Sequence, residues 1–206
     1  MDYRAPMSKP KVLLPLANGF EEIEAVTIID VLRRGEIEVT VADLGESSAP
    51  RAALGAHGIE ITTDASLDQL DPASFDAIAL AGGMPGATNL RDDPRVIAAL
   101  HVMEQKNRWT AAVCAAPIVL AQAGLLEGQR ATSYPAFQDQ LGNATVVSDQ
   151  RVVISGRVIT SLGPGTSLDF ALCLVAVLQS AALAEEIAEA MLAGDLAGRV
   201  TAIKSL

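Results

Sequence analysis

The stretch AAVCAAPIVLAQAGLL, residues 111–126, decides the fold and poses the main question about function. A short apolar run ends at Cys114, two alanines follow, and Pro117 opens a second apolar run. Because proline is tolerated in the first turn of a helix, this pattern predicts a strand that ends at Cys114 and turns sharply into a helix. Cys114 would then lie at the tip of a nucleophile elbow, with a thiol in place of the usual serine hydroxyl. The alternative is that Cys114 packs among the alanines as a small apolar residue.

Other short apolar runs repeat the strand pattern along the chain. They are KVLLPL (11–16), EVTVADL (38–44), DAIALA (76–81) and WTAAVC (109–114). Runs without polar alternation indicate strands covered on both faces, as in a parallel sheet. Helical patterns lie between them, at residues 21–34 (ending at Gly35), at 92–107 and after Cys114. This alternation predicts an α/β fold with a mostly parallel central sheet and helices on both faces.

The second half of the chain is less regular. Short strands are predicted in ATVVSD (144–149), RVVISG (151–156) and RVITSLG (157–163), the last two joined by a tight turn at Ser155-Gly156. One or two helices are predicted to follow from Thr166 or Ser167. The Gly/Ala-rich segment SSAPRAALGAHG, residues 47–58, is predicted to be a mobile loop.

The domain prediction is a single α/β domain over residues 10–206, because no repeat, linker or low-complexity segment divides the chain. Residues 1–9 are predicted to be a flexible leader, and Met7 is an alternative start. They lack the apolar core of a signal peptide, which indicates a cytoplasmic protein.

Composition argues against several classes of partner. The formal net charge is -10, and a strongly acidic chain repels nucleic acid and anionic membranes. Aromatic residues make up 3% of the chain, too few for a base-stacking surface. The two cysteines and two histidines are widely spaced and match no zinc motif, so neither a metal nor a cofactor is predicted.

The position of Cys114 favours a reactive thiol. Ligands of open α/β sheets bind at the carboxyl ends of strands, beside helix N-termini. Free N–H groups and the helix dipole stabilise a thiolate there, and cysteines in such places have pKa values of roughly 3.5–7.5. Ala115 and Ala116 are small enough for a substrate to approach the backbone. Cys173, inside the apolar helical segment DFALCLVAVL, is predicted to belong to the core.

The segment NGFEEIEAV, residues 18–26, offers an acid partner for the thiol. At about 100° per residue, Glu24 falls on the apolar side of the predicted helix, Glu22 points away, and Glu21 lies in the fraying first turn. A carboxyl against apolar surface has a raised pKa, so a protonated Glu24 could hydrogen-bond the sulfur and move a proton. The plainer explanation is that acidic residues suit any helix N-terminus.

A glycine-rich turn, LAGGMPGATNL at residues 80–90, follows another predicted strand. Its spacing fits neither the dinucleotide-binding motif nor the P-loop. The N–H groups of Gly82 and Gly83 could stabilise an oxyanion beside Cys114, or the segment could be an ordinary strand-to-helix turn. Neither histidine is a promising base, because His101 lies within a predicted helix and His57 in a predicted loop.

Taken in order, GFEEIEAV, LAGGMPGATNL and AAVCAAP resemble the ThiJ/PfpI superfamily, and within it the branch of the parkinsonism-associated deglycase and its bacterial relatives. The segments DVLRRGEIEVTVADL, TTDASLDQL and SLGPGTSLDFAL match as well. The resemblance implies a flavodoxin-like three-layer α/β sandwich that forms a homodimer. It also implies that Cys114 and Glu24 are the catalytic pair, and that the backbone of Gly83 and Ala115 donates to an oxyanion.

Three residues depart from the pattern of this superfamily. Ala115 stands where the protease and chaperone branches often place His, which argues against a Cys-His peptidase. Tyr134, in the segment TSYPAF, stands where the deglycase branch often has His, so we expect it at the substrate site without a histidine-assisted step. Ala116 replaces the usual Gly, a change that would narrow the pocket.

The leading hypothesis is therefore a cofactor-independent, Cys114-dependent enzyme acting on small α-oxoaldehydes such as methylglyoxal, in defence against carbonyl and oxidative stress. Deglycase activity on early glycation adducts would use the same steps. The alternative is a non-enzymatic redox sensor or stress-protective chaperone, whose low-pKa thiol is oxidised by peroxide. A third hypothesis, a cysteine peptidase or amidase, is weakened by the missing histidine. The sequence leaves the choice between the first two open.

Overall fold

The structure is a computed structural model that describes residues 9–45 and 52–200, without the side chain of Ala197. The predicted leader, apart from Lys9, lies outside these residues. The strands are β1 (Lys11–Leu16), β2 (Glu38–Asp43), β3 (Ala52–Leu54), β4 (Glu60–Thr62), β5 (Ala65–Ser66), β6 (Ala77–Leu80), β7 (Trp109–Val113), β8 (Arg130–Ala131), β9 (Thr145–Val146), β10 (Val152–Ser155) and β11 (Val158–Ser161). The α-helices are α1 (Glu22–Arg34), α2 (Gly86–Asp92), α3 (Pro94–Gln105), α4 (Pro117–Gln122), α5 (Ser167–Leu178), α6 (Ala181–Ala190) and α7 (Leu196–Arg199).

Seven strands form the central sheet, in the order β10-β11-β7-β6-β1-β2-β5. All neighbours in it are parallel except the β10–β11 hairpin, which turns at Gly156 with φ 57°. The predicted α/β fold with a mostly parallel sheet is therefore confirmed. Two further pairs, β3–β4 and β8–β9, lie outside the central sheet.

Helices cover both faces of the sheet, which explains why its strands are apolar without alternation. On β1, Val12 and Leu14 point into a core that also contains side chains of α1 and α5. Leu13, between them, points into a second core with side chains of α2, α3 and α4. Both cores consist largely of fully buried apolar side chains. The arrangement is a three-layer flavodoxin-like sandwich, as expected.

Two predicted segments differ from the structure. Within residues 47–58, only 52–58 are described, and there Ala52–Leu54 is a strand that pairs with Glu60–Thr62, so this part is a hairpin rather than a loop. The loop-like composition concealed it because its strands have only three residues each. The helix after Cys114, which was predicted to reach Gly124, is also shorter than predicted and ends at Gln122.

The parallel arrangement places the ends of β6, β7 and β11 side by side at the carboxyl edge of the sheet. Gly82 follows the first of these strands, Cys114 the second and Gly163 the third. Helix α1 begins after β1, the neighbour of β6 on its other side. This edge is therefore where the candidate residues can meet. The helices of the described residues are too short or too polar to span a membrane.

Candidate active site

Cys114 lies in a sharp turn between β7 and α4, as the elbow prediction requires. Its φ is 64°, a left-handed conformation that costs a non-glycine residue on the order of 1–3 kcal/mol. Two backbone hydrogen bonds hold it: its N–H donates to Ser161 O at 3.0 Å, and its carbonyl accepts from Tyr134 N at 2.8 Å. The thiol is half-buried and free of any disulfide. Cys173 is fully buried in α5, as predicted for a core residue.

Glu24, in the first turn of α1, is fully buried beside the thiol. Its Oε2 accepts the N–H of Gly82 at 2.6 Å, and the carboxyl also forms a hydrogen bond with the Cys114 side chain. Oε1 is buried and has no nitrogen or oxygen partner among the described residues. Because Oε2 already accepts a hydrogen bond, Oε1 is the atom that would carry the proton of the neutral acid.

The two groups perturb each other's ionisation. Burial, and to a lesser extent the charge of Glu21, raise the pKa of Glu24 to about 7, although the hydrogen bonds from Gly82 and Cys114 oppose the rise. Burial, followed by the charge and hydrogen bond of Glu24, raises the pKa of Cys114 to about 12. Their protons therefore leave in two coupled steps that belong to the pair.

The direction for Cys114 is opposite to the predicted low pKa. The prediction considered the elbow and its N–H groups, which do lower the pKa of Cys114 through Ala115 and Gly83. It omitted desolvation of the half-buried sulfur and the negative charge of an ionised Glu24. The two causes that come from Glu24 vanish when that carboxyl is protonated. The charge state of Glu24 therefore governs how readily the thiol ionises.

The predicted oxyanion donors do not share one role. The N–H groups of Gly83 and Ala115 face the sulfur, where they also could receive a developing oxyanion. The N–H of Gly82 is instead bonded to Glu24, so it orients the acid. A Cβ on Gly82 would approach the Cys114 Cβ to 2.8 Å, so glycine is needed for this close contact.

The turn after β11 completes the surroundings of the thiol. A Cβ on Gly163 would lie 3.8 Å from Cys114 Sγ and 3.3 Å from Cδ2 of Tyr134. Tyr134 is 46% exposed, so its ring is accessible beside the elbow. The segment around Gly163 resembles the superfamily, but Gly163 itself was not predicted to belong to the site. The sequence did offer one signal for this role, because Gly163 lies at the end of the predicted strand that becomes β11, the neighbour of β7.

Comparison with known proteins decides the family. Residues 10–177 match the DJ-1/PfpI family. The chain belongs to the DJ-1/PfpI family. It is 39% identical to Protein DJ-1 homolog B of Arabidopsis thaliana over 87% of the chain and 41% of that protein, so it spans less than half of that relative. It is 38% identical to Protein dj-1beta of Drosophila melanogaster, covering 90% of the chain and 98% of that protein.

Further DJ-1 relatives bear on activity and fold. A Caenorhabditis elegans protein named glutathione-independent glyoxalase DJR-1.2 is 36% identical over 82% of the chain and 87% of its own length. The solved structure of Drosophila DJ-1beta superposes with a TM-score of 0.84, covering 90% of this chain and 98% of that one, at 38% identity. Oxidised Toxoplasma gondii DJ-1 gives a TM-score of 0.83 over 89% and 98%, also at 38% identity.

Beside the elbow of this DJ-1/PfpI chain, Glu22 departs from its prediction. The helical periodicity pointed it away from the core, yet it is 4% exposed, because residues of the β3–β4 hairpin cover it. Burial opposes its ionisation, but hydrogen bonds from the side chain and N–H of His57 and from Ile59 N–H outweigh this and lower the pKa of Glu22 to about 2. His57 therefore contacts a carboxylate pair rather than solvent alone.

Glu21, Glu22 and His57 are the group of described residues whose ligand atoms lie close enough for a metal ion, within 4.8 Å of one another. Their atoms already bond each other: His57 Nδ1 lies 2.8 Å from Glu22 Oε2 and 3.7 Å from Glu21 Oε2. These hydrogen bonds and charges account for the cluster, so we assign it no metal. The absence of a cofactor stays a prediction.

Proposed function

We propose that the chain is a cofactor-independent enzyme that converts small α-oxoaldehydes such as methylglyoxal to 2-hydroxy acids. The observation that carries this proposal is the buried Glu24 carboxyl, with its pKa raised to about 7, in hydrogen-bond contact with the thiol of the elbow. A general base works best when its pKa lies near the working pH. The glyoxalase named among the relatives adds support.

In the first step, ionised Glu24 accepts the proton of Cys114 as the sulfur attacks the aldehyde carbon. The carbon–oxygen π bond breaks and the oxygen becomes an alkoxide beside the N–H groups of Gly83 and Ala115. Glu24 then returns the proton to that oxygen. The product is a neutral hemithioacetal, and Glu24 is again a carboxylate.

In the second step, Glu24 removes the proton from the same carbon and delivers it to the neighbouring carbonyl carbon through an enediol. The hydroxyl proton of the former aldehyde carbon passes to the neighbouring carbonyl oxygen. The former aldehyde carbon thereby becomes a thioester of Cys114, and the neighbouring carbon becomes a secondary alcohol. Water then cleaves the thioester, which releases the 2-hydroxy acid and the free thiol. No external oxidant or reductant is consumed, because one carbon is oxidised while its neighbour is reduced. Early glycation adducts would enter the same course after they release the protein amine or thiol and the free aldehyde forms again.

The decisive experiment measures lactate formed from methylglyoxal without glutathione. Cys114→Ala should abolish turnover, whereas Cys173→Ala, which removes the other thiol from the core, should retain it. Loss of turnover in both variants, with both folded by circular dichroism, would contradict a specific role of Cys114. A folded wild-type protein that forms no lactate would reject the enzymatic proposal.

A second function is favoured by the same contact. A neutral Glu24 can donate a hydrogen bond to an oxidised sulfur, which would stabilise a sulfinate at Cys114. Each oxidation transfers one oxygen from hydrogen peroxide to sulfur and releases water. Peroxide titration followed by intact mass tests this role: Cys114 should gain two oxygen atoms and then stop. Oxidation no faster than that of a free thiol would reject the sensor role.

We further propose a cytoplasmic homodimer that recognises a small carbonyl compound. Four large apolar side chains are exposed on α1 and on the adjoining β3–β4 hairpin: Ile23, Val26, Leu54 and Ile59. Exposed large apolar side chains on neighbouring elements are typical of a protein interface. A peptidase is disfavoured, because Ala115 supplies no histidine beside the nucleophile.

A further inference from the structure

The carboxylate of Glu22 connects two segments that are distant in sequence. Its Oε1 accepts the N–H of His57 at 2.5 Å and that of Ile59 at 3.4 Å, while Oε2 lies 2.8 Å from His57 Nδ1. A Cβ on Gly55 would collide with this carboxyl, so glycine makes room for it. The start of α1 is thereby fastened to the tip of the β3–β4 hairpin, which we define as residues 55–59.

Backbone contacts strengthen the same junction. Ala56 N donates to Phe20 O at 2.8 Å, and Gly19 N donates to Leu54 O at 2.7 Å. Phe20 also forms a parallel bridge with Gly55. The hairpin tip and the turn before α1 therefore form one hydrogen-bonded unit.

This unit reaches the acid–thiol pair through Glu21. The N–H of Glu21 donates to Gly82 O at 2.9 Å, and the N–H of Gly82 donates to Glu24 Oε2 at 2.6 Å. The Glu21 side chain is 13% exposed, and its Oε2 lies 3.7 Å from His57 Nδ1. An exposed imidazole at the tip is thus separated from the catalytic pair by one carboxylate.

We propose that Glu22 and His57 form a positioning latch for the acid–thiol pair: Glu22 fastens the hairpin tip to the start of α1, and His57, in its protonated form, offsets the negative charge of Glu21 beside Glu24. Neither residue touches the reacting atoms. The proposal rests on the pairing of Glu24 with Cys114, which the proposed function also uses.

Among the described residues of one chain, the charges that act on this latch come from α1, the hairpin tip and the elbow. His57 faces the carboxylates of Glu21 and Glu22, whose hydrogen bond and charges raise its pKa. Glu24 faces Glu21, which raises its pKa, and Cys114. Removing the cation at residue 57 leaves Glu21 uncompensated, so ionisation of Glu24 becomes harder. Loss of this cation should therefore move the first deprotonation of the acid–thiol pair to higher pH.

The test is the pH dependence of Cys114 alkylation by iodoacetamide, which needs no turnover and therefore fails independently of the proposed function. His57→Gln should move the midpoint near neutral pH upward by roughly half a pH unit. His57→Arg keeps a cation that pairs well with carboxylates and should leave the midpoint at or below that of the wild type. His101→Gln, a histidine in α3 away from the site, is the matched control and should match the wild type.

Equal midpoints for His57→Gln and the wild type would overturn the charge role of the latch, and so would an equal upward shift in His57→Arg.

A second measurement concerns the fastening role of Glu22. In Glu22→Ala, amide hydrogen exchange of the hairpin tip should accelerate about tenfold, because two N–H groups lose their acceptor. Amides of α5 should stay protected, which shows that the fold persists. Unchanged exchange at the tip would overturn the fastening role.

Discussion

The carboxyl of Glu24 and the thiol of Cys114 are hydrogen-bonded inside the protein, although they come from the first helix and from the turn after β7. With pKa values of about 7 and about 12, the pair holds a single proton over the wide range between them. That proton can lie on sulfur or on the carboxyl, and only the second arrangement exposes a thiolate. The reactivity of Cys114 is therefore a property of both residues.

The pairing predicts how Glu24→Gln changes thiol chemistry. In the wild type, the rate of iodoacetamide alkylation should rise as the pair loses its first proton near pH 7. Glutamine cannot titrate, so this step should disappear from the profile. The remaining alkaline step should fall below pH 12, because the charge and hydrogen bond of Glu24 no longer raise the pKa of Cys114.

The control for this experiment is Glu104→Gln, an exposed glutamate near the end of α3. It should leave the whole alkylation profile unchanged. An alkylation profile of Glu24→Gln that overlies the wild-type curve at every pH would refute the coupling of the two groups.

The raised pKa of Glu24 also predicts a pH-dependent cost to stability. The folded protein binds this proton up to about pH 7, whereas the unfolded chain releases it near pH 4.5. The contribution of Glu24 to the free energy of unfolding should therefore be largest below pH 4.5 and should fall as the pH rises to 7. At 1.36 kcal/mol per pKa unit, the loss is about 3 kcal/mol. Glu24→Gln should remove that loss.

Urea unfolding at pH 5 and at pH 8 measures this effect. The variant Glu24→Gln should gain stability relative to the wild type mainly at pH 8, while Glu104→Gln should track the wild type at both values. A stability difference between Glu24→Gln and wild type that is the same at both pH values would show that Glu24 is not buried as a carboxylate above neutrality.

The sequence permitted correct prediction of the features that depend on strong local patterns. The apolar run before Cys114, followed by small residues and Pro117, requires a strand and a tight turn, and both are present. The place of Glu24 on the apolar side of α1 followed from helical periodicity. Gly82 and Gly83 were placed correctly at the sheet edge because both follow a buried strand directly.

The features that the sequence did not reveal all depend on contacts between distant segments. Helical periodicity predicted that Glu22 points away from the core. This was wrong because periodicity gives no information about the hairpin, which folds over the helix and covers Glu22. The pKa of Cys114 was predicted from the elbow alone, whereas burial and Glu24 oppose that effect. Gly163 gained its part in the site from the pairing of β11 with β7, which is a long-range parallel pairing.

The proposed homodimer makes a prediction about the exposed apolar face. Ile23→Glu should raise the dimer dissociation constant by about 100-fold or more, because each dimer would bury two unpaired carboxylates. Light scattering with size-exclusion chromatography measures the change. Leu192→Glu is the control, because Leu192 is 93% exposed on a different part of the described surface. A monomeric wild type, or an Ile23→Glu protein that stays fully dimeric, would reject this interface.

Gly163 offers a test of substrate access that leaves Glu24 and Cys114 themselves unchanged. Gly163→Ala would place a methyl group 3.8 Å from Cys114 Sγ and 3.3 Å from the Tyr134 ring, and the backbone there is extended, so no strain is added. The proposed function requires the carbonyl compound to reach sulfur, and the methyl would narrow the space beside it, so we expect the KM for methylglyoxal to rise several-fold with a smaller change in kcat. Gly165→Ala is the matched control, since its Cβ would meet no atom within 4 Å. Equal kinetics for the two alanine variants would show that substrate does not approach the thiol past Gly163.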